Sequence, residues 1–175
     1  MKPEIWKTIE IGTNANTGSA LIKELHLDGH RISHDAWPVL QPKYSVVYRG
    51  SNERFSVSGL RRTINLVKVS VTFFNFHINA VLERAKEFEA MPAPPESAAQ
   101  FILQHGDSAS QEYLMFPFSS VSNSGDGIFI EAGVFTVTNQ GGASKLGFIE
   151  RAYHFEKWYV ELFQKFKVHL VFRLR

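Results

Sequence analysis

The chain has 175 residues, no cysteine, 19 Lys and Arg against 17 Asp and Glu, and a formal charge of +2. Without thiols it has no disulfide framework, no thiol nucleophile and no Cys-based zinc or iron–sulfur site, and so even a charge balance gives no sign of a dedicated phosphate binder. A hydrophobic share of 44% with 21% charged residues excludes disordered and low-complexity classes, and residues 1–175 are read as a single globular domain.

Ile5 to Ile11 reads as a short strand closing at Gly12. Leu21, Ile22 and Leu25 then recur at helical spacing, with Thr17 or Ser19 as the cap. His26, His30 and His34 fall four apart, the spacing that lines one face of a helix. Asp28-Gly29 followed by Ser33 instead reads as a helix stop and a capped restart, so no metal is expected there. The restarted helix holds Ala36 and Trp37 and is limited by Pro38.

Tyr44 to Tyr48 and Ile64 to Val71 read as strands, the second with Val67, Val69 and Val71 as its apolar face. Between them, residues 49–63 read as a mobile polar loop. The run VLERAKEF places Val81, Leu82, Ala85 and Phe88 along one helical stripe. MPAPPES, residues 91–97, holds three of the seven prolines; it ends that helix and reads as a rigid connection inside the domain.

Phe101 to Gln104, Tyr113 to Phe118, Gly127 to Glu131 and Val134 to Thr138 read as strands of an antiparallel meander, with turns in SNSGDG at 122–127 and NQGG at 139–142. After Gly147 the spacing of Trp158, Tyr159, Leu162, Phe163 and Phe166 is helical, and VHLVFRL is a terminal strand that inserts in the sheet. The expected class is α+β: a single domain with a mainly antiparallel sheet of about five to seven strands and about two to four helices packed on it.

The signatures HExxH, GxSxG, GxxxxGK[ST] and GxGxxG are absent, and SNSGDG lacks the carboxylates of a calcium loop. An acid–base reading draws on Glu96, Glu112, Asp126 and Glu131 in or beside the meander, with His105 beside Asp107 as proton carrier; solvent-facing and turn-capping roles are the plainer reading. A nucleic-acid reading draws on the local basic excess of Lys43, Arg49, Arg54, Arg61, Arg62 and Lys68, interleaved with Tyr44, Tyr48 and Phe55, because guanidinium and aromatic faces stack on exposed bases.

The fragments WKTIEIGT at 6–13, HRISHDAWPVL at 30–40, INLVKVSV at 64–71, ERAKEF at 83–88, PPESAAQFILQHGD at 94–107, EYLMFPF at 112–118 and VHLVFRLR at 168–175 together resemble a family of uncharacterised bacterial proteins. That family has a WKTI-x-IGT start and a PAE/PPE-xxxQ-x-x-LQ centre, and the resemblance implies no particular activity. It implies a hydrophobic residue at the position of His30 and an acidic one near His34, which speaks against a metal role. The SNERFSVSGLRR loop and the stretch from Glu150 to Phe166 depart from the pattern.

The leading expectation is a non-enzymatic protein-interaction module, binding a protein partner or itself, with no cofactor. The alternatives are a nucleic-acid-associated factor using residues 43–68 and a hydrolase or transferase with a Glu96/Glu112/His105 site. No window nears the roughly 18 to 20 apolar residues of a membrane helix, and the first residues lack the pattern of a secretory leader. A cytoplasmic protein without a membrane partner is expected.

Overall fold

A computed structural model describes residues 4–13, 15–41, 55, 57–71, 85–106, 111–117, 121–124, 127–130, 134–140, 142–149 and 158–175. In chain order the elements are β1 (Lys7–Ile11), α1 (Gly18–Leu27), β2 (Arg31–Ile32), α2 (Ala36–Leu40), β3 (Arg62–Ser70), β4 (Ala90–Pro92), α3 (Ser97–His105), β5 (Glu112–Pro117), β6 (Val121–Ser124), β7 (Gly127–Ile130), β8 (Val134–Gln140), β9 (Ala143–Ile149), α4 (Trp158–Lys165) and β10 (Lys167–Leu174). The class is α+β, and eight of the strands form one mainly antiparallel sheet in the order β1-β3-β10-β5-β8-β9-β2, with β4 also on β10. The strands β6 and β7 pair separately as a hairpin.

The strand nearest the C-terminus lies in the middle of the sheet. On one side β10 runs antiparallel to β3, from His169↔Ser70 to Arg173↔Leu66. On the other it runs parallel to β5, from Lys167↔Glu112 to Leu170↔Met115, and β4 takes over beside Phe172 to Leu174. Its sequence explains the position: every residue from Val168 to Phe172 is buried, the pattern of a strand covered on both faces. The parallel pairs β10–β5 and β2–β9 are departures from an all-antiparallel meander.

Each face of the sheet has its own core. One gathers Ile9, Leu66, Leu114, Phe116, Val137, Leu146 and Val171 under α1, α2 and α3. The other gathers Val67, Met115, Leu170 and Phe172 with Leu162, Phe163 and Phe166 at α4. Val67, Val69 and Val71 are therefore only one of two apolar faces of β3, because Ile64 and Leu66 are buried in the opposite core. In the first core Phe101 is fully buried, stacked on Trp6 at 5.1 Å and tilted against Phe116 at 5.7 Å; truncating such a ring typically costs about 3–5 kcal/mol.

Phe101 to Gln104 is helix, not strand. A short apolar run fits either structure until its partners are known, and here Ala98, Phe101 and Ile102 share the buried stripe of α3, which opens directly after Pro94-Pro95-Glu96. Ala143 to Ile149 is a strand where none is expected; Ser144, Leu146 and Phe148 are buried in alternation, a signal interrupted by Gly147 and Lys145. Part of MPAPPES is itself strand, since Ala90–Pro92 pairs with β10. Tyr44 to Tyr48 and Val81 to Arg84 lie outside the described residues, whereas Ala85 is buried and Phe88 packs against the second core.

The histidine stretch breaks where its punctuation predicts. Thr17 accepts the Ala20 N–H at the start of α1. The helix closes through His30 N to Leu25 O at 2.8 Å and Gly29 N to His26 O at 3.1 Å, with Gly29 at φ +80°, the pair of bonds that ends a helix on a left-handed residue. Ser33 Oγ then accepts the Ala36 N–H and its carbonyl accepts Trp37 N–H. The three rings accordingly part company: His26 packs on Trp37 at 5.2 Å, His30 lies against Gly106, and His34 pairs with Asp35 in solvent.

Within the loop expected at 49–63, residues 55 and 57–60 are described. Phe55 meets Phe135 edge-on at 5.9 Å, Val57 packs against the first core, and Ser58 N–H donates to Glu96 at 2.6 Å. Among the described residues no helix is long and apolar enough to cross a membrane.

Candidate functional site

Two polar features interrupt the apolar sheet, one on each face. On the face covered by α1 to α3, Lys68 and Ser70 project from β3, His169 from β10 and Glu112 from β5. Strand alternation puts them on the same side as Leu66, Val171 and Leu114. Lys68 Nζ donates to Glu112 Oε1 at 2.7 Å and sits 4.8 Å from the centre of the Trp6 ring. The His169 ring lies between the two ends of this set: Nδ1 is 3.0 Å from Ser70 Oγ and Nε2 is 3.4 Å from Glu112 Oε1.

Burial separates the roles. The His169 side chain is 8% exposed, that of Glu112 21% and that of Lys68 22%, while Ser70 is exposed. Nε2 of His169 is buried without a hydrogen bond: the 3.4 Å separation from Glu112 is ion-pair distance, but the alignment is not that of a bond. Desolvation holds the His169 pKa below the ordinary imidazole value of 6.5; Glu112 opposes this, and Lys68 and Lys167 reinforce it. At neutral pH the ring is uncharged, with one nitrogen free to accept a proton.

On the other face a cavity of about 320 Å³ opens over β8 and β9. Tyr113, Thr136 and Thr138 line it together with Leu162 of α4 and Phe166 just after it, and Lys145 and Lys165 are exposed on its lining. Gly147 leaves the space clear, since a methyl group there would strike Thr136 Oγ1. Burial pushes the Tyr113 phenol above its usual range, with the Thr136 hydrogen bond acting in the other direction. Asp35 also lines the cavity and is paired with His34 at 2.9 Å.

Among the described residues, Glu96, His105 and Glu112 of the acid–base set each have other partners. Glu96 is fully buried and accepts the N–H groups of Gly12 at 3.2 Å and Ser58 at 2.6 Å, so its carboxylate joins two segments of chain and does not cap α3. His105 Nε2 donates to the Thr8 carbonyl at 2.8 Å and its ring packs on Phe101; it covers the outer edge of β1. Glu112 does sit in a polar cluster, but with His169 as its imidazole. Asp126 lies outside the described residues.

Of the basic set, Arg61, Arg62 and Lys68 are among the described residues. Arg61 is bonded to Glu10 through its Nε at 2.9 Å, and Lys68 is engaged by Glu112. Arg62 is exposed at the start of β3, whereas Lys43, Arg49 and Arg54 lie outside the described residues.

Ser70 and His169 escape sequence reading because they are 99 residues apart. The available signal is local: polar residues at Lys68, Ser70 and His169 occupy strand positions whose neighbours are all apolar. Comparison with protein-family models, curated proteins and solved structures finds no match to this chain.

Proposed function

We propose that the chain is a protein-interaction module whose cavity over β8 and β9 receives an acidic segment of a partner. The observation that carries this reading is the composition of the cavity: the exposed Lys145 with the hydroxyls of Thr136 and Thr138, set beside Phe148, Ile149, Leu162 and Phe166. Ligand sites combine apolar walls with a few convergent polar groups in this way, and about 320 Å³ lies at the small end of their range. It suits a side chain or two, not a large cofactor. Among the described residues of the lining Asp35 is the one carboxylate, and it lies 2.9 Å from His34.

The test is an amide chemical-shift titration of the intact chain with two capped peptides of equal length, one alternating Glu with Phe and one alternating Lys with Phe. Saturable shifts on β8, β9 and α4 with the acidic peptide only, lost in Lys145→Glu, are the expected result. Shifts confined to other surfaces, or equal response to the Lys peptide, would overturn the reading.

A further inference from the structure

The cluster on the helix-covered face has more in it than a cross-strand ion pair needs. Lys68 and Glu112 satisfy one another at 2.7 Å, and the Trp6 ring completes the surroundings of the ammonium. His169 adds nothing to that pair at rest. Its Nε2 is buried and makes no hydrogen bond, although Glu112 Oε1 lies 3.4 Å away. Its other nitrogen meets the hydroxyl of Ser70, the exposed member of the set. A buried polar atom left unbonded carries a free-energy cost that folding alone does not recover.

We infer that Ser70 is an acyl-accepting nucleophile, with His169 as its general base and Glu112 as the group that positions and stabilises the protonated ring, acting on small activated carboxylic esters. The geometry supplies the order nucleophile, base, carboxylate required for such chemistry, with the two ring nitrogens in the reverse of their usual assignment. In this assignment Nδ1 accepts from Ser70, so Nε2 carries the hydrogen and lies, unbonded, 3.4 Å from Glu112 Oε1. The contact to Glu112 is loose while the ring is neutral and tightens when the ring becomes a cation. Its stabilisation is therefore greater at the transition state than in the resting site, which is the condition for lowering a barrier.

The step balances as follows. Ser70 Oγ forms a bond to the ester carbonyl carbon while its proton passes to His169 Nδ1. The bond from that carbon to the alkoxy oxygen breaks, and the alcohol departs with the proton from Nδ1. Water then attacks the Ser70 ester, giving one proton to Nδ1; the carbonyl–Oγ bond breaks and Ser70 recovers that proton as the carboxylic acid leaves. No oxidant, metal or further reactant enters. This site is independent of the cavity over β8 and β9, which lies on the opposite face of the sheet.

The experiment uses the full chain with a fluorophosphonate probe, followed by intact mass and peptide mapping, and p-nitrophenyl acetate as a turnover substrate. In labelling, the Ser70 oxygen displaces fluoride from phosphorus, leaving one stable adduct. One adduct per chain at Ser70 is expected, absent from Ser70→Ala, with the labelling rate of His169→Gln reduced by about a hundredfold or more. The rate is expected to rise with pH through a midpoint set by His169, and Glu112→Gln is expected to slow labelling and move that midpoint to lower pH, because the anion that favours the ring cation is gone while Lys68 and Lys167 remain. An unlabelled wild-type chain, or equal labelling of Ser70→Ala, would overturn the inference. Ser70→Ala changes an exposed residue and Glu112→Gln keeps its shape, so both remain informative if His169→Gln folds poorly.

Discussion

Removing the Glu96 carboxylate tests how the N-terminal strand is fastened to the segment before β3. Glu96→Ala deletes two bonds, to Gly12 N–H at 3.2 Å and Ser58 N–H at 2.6 Å, from a residue with no solvent exposure. Hydrogen bonds to a charged group contribute about 1.5–3 kcal/mol each. Both donors here are only partly buried, so the lower end applies, and the loss is about 3 kcal/mol. That is a fifth or more of the total stability of a typical domain, and at this chain length it corresponds to a fall of roughly 6–12 °C in Tm. Glu96→Gln retains the shape and one acceptor oxygen but turns an amide N–H₂ toward the other donor, so it falls between wild type and Glu96→Ala. Urea unfolding followed by circular dichroism gives the midpoints, and hydrogen exchange at Ser58 reports the lost bond locally. A loss below about 1 kcal/mol for Glu96→Ala would refute the reasoning, since two charge-assisted bonds cannot contribute so little.

Gly12→Ala is expected to cost about 2 kcal/mol or more, since Gly12 sits at φ +66° and a methyl group there collides with the Leu60 carbonyl; wild-type stability by urea unfolding would count against that packing. Gln104 closes the edge of β1 by accepting Glu10 N–H and donating to the Glu10 carbonyl, both at 2.8 Å. Gln104→Ala is expected to lose about 1–2 kcal/mol and to self-associate with rising concentration through the uncovered edge; light scattering showing an unchanged monomer fraction would refute the second part. For His169 the folded pKa is depressed below 6.5 by burial, so the unfolded chain takes up its proton first. The contribution of this neutral ring to stability is full above the unfolded value and is lost as pH falls through it toward the folded value. Wild type is therefore expected to lose more stability than His169→Gln between neutral pH and about pH 5, and equal losses would show that the ring is not desolvated.

Much of this architecture is legible locally. The Thr17 cap, the Gly29 stop and the Ser33 restart each follow from what a side chain does to its own backbone within a turn, and the structure places all three as the sequence predicts. Near NQGG, Gln140 pairs with Ala143 where β8 meets β9, and the apolar stretch from Val168 to Leu174 forms a strand, because turn chemistry and burial are written in consecutive residues. The α+β class follows from those elements together.

The misreadings share one cause. FILQ takes either helix or strand, and only the buried positions of Ala98, Phe101 and Ile102 against β1 and the first core decide it. β3 serves two cores because helices pack on one face and α4 on the other, which no alternation along its own residues reveals. For Glu96 and His105 the sequence offered both an acid–base and a plain structural role, because a carboxylate and an imidazole look alike in a sequence whether they face solvent, substrate or a backbone amide. Composition and short-range pattern determined the class, the turns and the caps of this protein. Tertiary structure alone decided that β10 would bring His169 between Ser70 and Glu112, because the register of three strands far apart in the chain is set by the two cores they bury.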